Sequence, residues 1–129
     1  MVLNATNEIE TIQASMLRTL ASVHRLRIIH ALGRGPCEVN ELEAELGLPQ
    51  ATVSQHLSAL RGVALVSATR DGRTVRYALT DPEILQACDL MRSVLVRRLS
   101  ALGSIAAAAD ADDRRRLGGL AIPHSQQPR

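Results

Sequence analysis

A mainly helical domain carrying one small β-hairpin is the fold class this sequence predicts, and three observations carry that prediction. Apolar residues recur at spacings of three and four in five separate segments, the mark of helices with one buried face. One stretch, LVSATRDGRTVRYAL, instead places two alternating β-branched runs on either side of Asp71-Gly72. The interior must be built from Ala, Leu, Val and Ile, because Tyr77 is the only aromatic residue in the chain. Aliphatic side chains at helical spacing suit a helical dimer better than a β-sandwich. At 129 residues the chain is long enough for one core and too short for two.

The first helix is expected from Asn7 to near Ser22, with Ile9, Ile12, Met16, Leu17 and Leu20 on one stripe. A second, from His24 to Leu32, carries Leu26, Ile28, Ile29 and Leu32 and is stopped by Gly33, Gly35 and Pro36. Residues Glu38 to Leu46 form a third, turning Val39, Leu42 and Leu46 inward, and Gly47 suits the left-handed conformation that ends a helix. Pro49 can open a fourth helix, since its fixed φ and missing donor do no harm in a first turn. Val53, Leu57 and Leu60 give that helix a buried face. The hairpin follows, with Asp71-Gly72 read as the centre of a type I′ turn. A long helix is then expected from Pro82 to about Ala109, through Ile84, Leu85, Cys88, Met91, Leu95, Leu99 and Leu102. Residues 7–109 therefore make one domain, and 110–129, with DDRRR, Gly118-Gly119 and two prolines, reads as a flexible tail.

Charge distribution says more than net charge, which is only +2. All fifteen basic residues are Arg, the side chain best suited to bidentate contacts with phosphate and guanine. From Leu48 to Thr80 there are four Arg (Arg61, Arg70, Arg73, Arg76) and one acid, Asp71, whereas Glu38, Glu41, Glu43 and Glu45 crowd the preceding segment. No apolar run approaches the ~18–20 residues that span a bilayer, and the first ten residues lack the basic start and apolar stretch of a signal peptide. A cytoplasmic protein is expected, with no membrane partner and with Cys37 and Cys88 as thiols.

Two helices joined by a short turn and followed by a two-stranded wing form a winged helix-turn-helix, an arrangement that places one helix in the major groove of DNA and the hairpin beside it. The polar face of the fourth helix offers Gln50, Thr52, Ser54, Gln55 and His56 with no acid among them, as a surface meeting a polyanion requires. Arg70 and Arg73 at the wing tip, with Arg76 further along, supply charge for phosphates. Nothing in the chain resembles a catalytic constellation, a Gly-rich phosphate loop or a paired metal motif, so an enzyme is not expected. A winged-helix protein-interaction module is the rival, because a fold does not settle a function. The stripe from Ile84 to Leu102 is too long for one small domain to cover and points to a homodimer. Its two recognition helices would then meet an operator arranged as an imperfect inverted repeat.

The run HRLRIIHAL, the segment GPCEVNELEAELGLPQATVSQHLSALRGVALV and the wing RDGRTVRYAL closely resemble the ArsR/SmtB family of transcriptional repressors. The Ser-x-His-Leu-x-x-Leu signature of that family is matched by Ser54, His56, Leu57 and Leu60. The resemblance covers about residues 10 to 100. It implies four helices, a hairpin and a final helix in that order, a homodimer joined through the first and last helices, and release of operator DNA when an inducer binds.

Members of the family sense metals through ligands whose positions vary. The zinc set across the last helices would fall here on Asp81, Glu83, Val94 and Arg97, of which only the first two are ligands. The Cys-x-Cys pair that selects soft metals is replaced by Glu38-Val39-Asn40, with Cys37 one residue earlier. The cysteine pair of the persulfide-sensing branch falls on His30 and Val96. The remaining candidate ligands are Cys37, Cys88, His24, His30, Asp81 and Glu83. A divalent ion such as nickel or zinc is the inducer the resemblance favours, and thiol oxidation the alternative.

Overall fold

The computed structural model describes residues 5–118. Its elements are α1 (Ala5–Leu20), α2 (Val23–Gly33), α3 (Val39–Leu46), α4 (Gln50–Gly62), β1 (Val66–Asp71), β2 (Thr74–Leu79), α5 (Glu83–Leu99), a 3₁₀ turn (Ser100–Leu102) and α6 (Ser104–Arg116). The chain divides into two compact units, with the division inside α5 between Cys88 and Asp89.

The first unit holds the core. Ile28, Ile29, Ala31 and Leu32 of α2 meet Leu42 and Leu46 of α3, and Val53, Leu57 and Leu60 of α4; Leu65 and Val66 close the cluster. The α2, α3 and α4 positions among these are those expected from helical spacing apart from Ala31, whereas Val39 of α3 is only half-buried and Leu26 of α2 and Ile9, Ile12 and Leu17 of α1 are exposed. Local chemistry defines the helix ends. Ser22 Oγ accepts from the Arg25 amide to start α2, and the Glu41 carboxylate accepts from the Glu38 amide to start α3. Gly47 ends α3 at φ +67°, with its amide donating to the Glu43 carbonyl. Only Gly47, Leu48 and Pro49 separate α3 from α4, and that short turn joins the two helices of the motif.

The wing is an antiparallel pair in register from Val66↔Leu79 to Asp71↔Thr74. Because Asp71 pairs with Thr74, the two-residue loop is Gly72-Arg73 rather than Asp71-Gly72. Gly72 has φ +62°, and among the described residues Ala64 is the one non-glycine with positive φ. A single positive φ at the first loop position is the type II′ pattern; the expected type I′ would need both. The Cys37 and Tyr77 backbones also exchange hydrogen bonds, at 2.9 and 2.8 Å, so the segment before α3 lies against β2 as an isolated bridge.

Two expectations for the C-terminal part are corrected. The last helix does not run unbroken to Ala109: it ends at Leu99, passes through the 3₁₀ turn and breaks at Gly103, whose φ of +72° leaves the helical region. Helix then resumes, so α6 occupies residues 110–116 of the segment read as a tail. The charges of DDRRR pair along the helix, Arg114 with Asp110 and Arg116 with Asp112, and Arg92 of α5 binds both Asp112 and Asp113. Residues 119–129 of the expected tail lie outside the described residues.

Ala64 follows the end of α4 at φ +59°, where the Leu65 amide donates back to the Leu60 carbonyl at 3.0 Å. An alanine held left-handed costs roughly 1–2 kcal/mol, and Gly adds unfolded-state entropy that returns part of this. Ala64→Gly is therefore expected to raise stability by about 0.5–1 kcal/mol, seen as a higher urea midpoint. An unchanged or lower midpoint would show that the cap stores no strain.

Candidate nucleic-acid interface

Burial of Val53, Leu57 and Leu60 leaves α4 with one outward side. Gln50 and Gln55 are exposed there, flanked by half-buried Thr52 and Ser54, with Ala51 and Ser58 between them. There is no acid in the helix, and Arg61 stands exposed in its last turn. Pro49 caps the start without a side-chain acceptor, leaving the first-turn amides available to anionic oxygens. On the wing, Arg70, Arg73 and Arg76 are all exposed. Strand alternation puts Arg70 on the face shared with Val66 and Ala68, Arg76 on the opposite face, and Arg73 in the loop at the tip. The acids of the motif lie on α3 and beside it, and one of them, Glu45, is paired with Arg34.

His56 departs from the expected outward set. It is half-buried and turned toward α2, where its Nδ1 accepts a hydrogen bond from Arg25 Nε at 3.1 Å. Its ring lies 5.7 Å from that of His24, tilted by 44°. The spacing explains the turn: His56 stands three residues after Val53 and four before Leu60, near the edge of the buried stripe. Burial, the Arg25 charge and then His24 all hold the His56 pKa below its ordinary value. Sequence reasoning missed Arg25. The signal was present, since Arg25 stands three, four and seven residues before Ile28, Ile29 and Leu32, a charge on the inward stripe of α2.

The six candidate ligands do not converge. Among the described residues no three His, Cys, Asp or Glu side chains come together as a metal site. His24 lies against His56, with its Nδ1 buried and unbonded. His30 is half-buried near the end of α2, while Asp81 and Glu83 are exposed at the start of α5. Cys88 packs against the core from α5. Cys37, directly after Gly35-Pro36, is half-buried, and its thiol donates to the Gly35 carbonyl at 3.4 Å. Burial and the nearby Glu41 raise its pKa, against the opposing charges of Arg34 and Arg76, so its thiolate form is disfavoured.

Comparison with known proteins fits this geometry. The family model for bacterial regulatory proteins of the arsR family matches residues 22–68, from the start of α2 into the wing. The HTH-type transcriptional regulator CmtR of Mycobacterium tuberculosis is 47% identical over 87 residues, 67% of this chain and 74% of that protein. The chain belongs to the arsR family. A second relative, a probable mercury resistance operon repressor of Streptomyces lividans, is 35% identical over 89 residues, 69% of this chain and 71% of that protein. The solution structure of a homodimeric winged helix-turn-helix DNA-binding domain from Mycobacterium bovis matches with a TM-score of 0.71 at 24% identity, covering 78% of this chain and 93% of that one, a likeness of fold. As an arsR-family member the chain is a DNA-binding transcriptional regulator and not an enzyme. No helix among the described residues is long and apolar enough to cross a membrane.

The His56 environment gives a pH dependence with a definite sign. Between its lowered folded-state pKa and its ordinary value of 6.5, the unfolded chain binds a proton that the folded chain refuses. The stability it contributes is complete above 6.5 and declines as pH falls through that window. Urea midpoints should drop from about pH 7.5 to about pH 5.5 in the wild type, and by less in His56→Asn. Equal drops in the two proteins would remove His56 as the source.

Proposed function

We propose that the chain is an operator-binding repressor that works as a homodimer and releases DNA in response to a divalent metal ion. The observation that carries the DNA reading is the acid-free outward side of α4 beside an arginine wing. In this reading Gln50, Thr52, Ser54 and Gln55 face base edges in the major groove, and Arg70 and Arg73 contact flanking phosphates. Two copies are supported by the apolar residues that the chain's own fold leaves uncovered. Ile9 and Ile12 on α1 are 64% and 62% exposed, and Leu90 and Met91 on α5 are 67% and 61% exposed. Two-fold symmetry then presents two α4 helices about one turn of DNA apart, matching an inverted repeat.

Metal response rests on kinship, including the relative named as a mercury resistance operon repressor. Residues of one described chain do not fit a three-ligand site. An ion such as nickel or zinc is held in this reading only if a second copy completes the set around His30, Asp81 or Glu83, donors that favour borderline metals over soft ones.

The direct test is a gel shift on the promoter beside the chain's own coding sequence, against random duplex, across salt concentrations and with nickel, zinc, cadmium, mercury and a thiol oxidant. Specific binding that nickel or zinc abolishes is expected. Binding released only by mercury, cadmium or the oxidant would reject the choice of metal, and no preference for the promoter would reject the operator. In the same assay Gln55→Ala should cost about 1–3 kcal/mol on the promoter and little on random DNA, whereas Arg73→Ala should weaken both alike and flatten the salt dependence. Equal losses from the two substitutions on both DNAs would refute the division between base and phosphate contacts.

The dimer is tested by light scattering at micromolar protein. Wild type is expected at twice the chain mass, and Leu95→Glu, which places a charge on the exposed apolar side of α5, at or near the mass of one chain. A wild-type monomer would overturn the dimer.

A further inference from the structure

We propose that Arg25 is a positioning residue for DNA recognition: it ties α4, through His56, to the last turn of α1, and so sets the rotation and height at which α4 presents its outward side. Three observations combine. The guanidinium reaches two other helices at once, with Nε donating to His56 Nδ1 at 3.1 Å and Nη1 donating to the Thr19 carbonyl at 3.0 Å. That carbonyl lies in the last turn of α1, where no later helical amide is available to it. The His56 ring also has the ring of His24 beside it, 5.7 Å away and tilted by 44°.

The apolar residues of α4 hold it onto the core but leave small rotations and slides cheap, because aliphatic packing has little directional preference. A planar fork bonded to two fixed acceptors does have one. His56 is adjacent in sequence to Gln55 and two residues from Ser54, so any displacement of its ring moves the side chains read as base contacts. A lysine could offer its single ammonium to one of the two acceptors but not span both as the fork does. The Nδ1 of His24 stays buried and unbonded, so it supplies no alternative tie to α4.

This inference rests on the reading of α4 as the DNA-reading helix, and the experiment separates the two. Full-length wild type, Gln55→Ala, Arg25→Gln, Arg25→Lys, His56→Ala, His56→Asn and the Arg25→Gln/His56→Ala double variant are compared by affinity for the promoter and for random duplex. Circular dichroism at the assay temperature gives the folded fraction of each, and affinities are expressed per folded chain. Arg25→Gln and His56→Ala are each expected to lower the promoter-to-random ratio about ten-fold, the scale of one base-edge contact. The double variant should lose no more than either single variant, within about two-fold, because one tie has been cut twice. His56→Asn, whose Oδ1 can accept where Nδ1 did, should restore most of what His56→Ala loses, and Arg25→Lys should fall between wild type and Arg25→Gln.

If Arg25→Gln lowers the folded fraction but leaves the ratio per folded chain unchanged, the residue is merely structural and the proposal fails. Losses that multiply in the double variant, or no rescue by His56→Asn, also overturn it. A wild type without promoter preference, or one that Gln55→Ala leaves unaltered, overturns the reading of α4 itself and the proposal with it.

Discussion

Burial of Val53, Leu57 and Leu60 decides which side α4 can present before any polar residue is considered. Those three side chains lie on one side of α4, and the aliphatic surfaces of α2 and α3 cover them. A helix held by one side has only one other to show, so the same packing that stabilises the domain orients Gln50, Ser54 and Gln55. Gly47 contributes by bending the chain within three residues, which keeps α3 close enough to support α4. With a core free of Trp and Phe, the support comes from many small contacts, and truncating any one of these aliphatic residues would loosen the outward side of α4 as well as the fold.

Charge follows the same division. Four of the seven glutamates, Glu38, Glu41, Glu43 and Glu45, lie on α3 or just before it, and α4 and the wing carry arginine alone apart from Asp71. Net charge hides this arrangement, because acids and bases nearly cancel over the chain while remaining separate on its surface. In α6 the opposite arrangement holds, with Asp110, Asp112 and Asp113 neutralised by Arg92, Arg114 and Arg116. Arginine thus serves two ends here: at the wing it stands exposed with no acid paired to it among the described residues, whereas paired along α6 it holds a helix.

The order of the first four helices and the hairpin was legible because each element carries its own periodicity, and periodicity is a property of neighbours along the chain. What sequence reasoning missed depends on neighbours in space. Gly103 directly follows Leu102, the last residue of the apolar stripe, and spacing alone could not say that its backbone takes a positive φ and ends the helix. His56 is polar and lies on a polar-looking helix, yet Arg25, thirty-one residues earlier, draws it inward. Cys37 follows a Gly-Pro turn, and only the fold brings Tyr77, forty residues later in sequence, beside it. Outward Gln50 and Gln55 and the exposed wing arginines were legible; the metal candidates were not, because six ligand-type residues on four segments define no site without a geometry to gather them.

The bridge between Cys37 and Tyr77 makes the wing unequal along its length. Near its root, β2 has a neighbour on either side, β1 and the Cys37 segment, so bending there would break two sets of hydrogen bonds at once. Beyond Tyr77 toward the tip only the pairing of two strands remains, through Thr69↔Arg76 to Asp71↔Thr74. The result is a cantilever, stiff where it joins the domain and compliant where it carries Arg70 and Arg73. If the wing contacts DNA as proposed, such a beam would let the charged end follow the local width and bend of a double helix while the clamped end keeps the hairpin in register with the rest of the protein, so deformation of the backbone it meets need not be transmitted to the core.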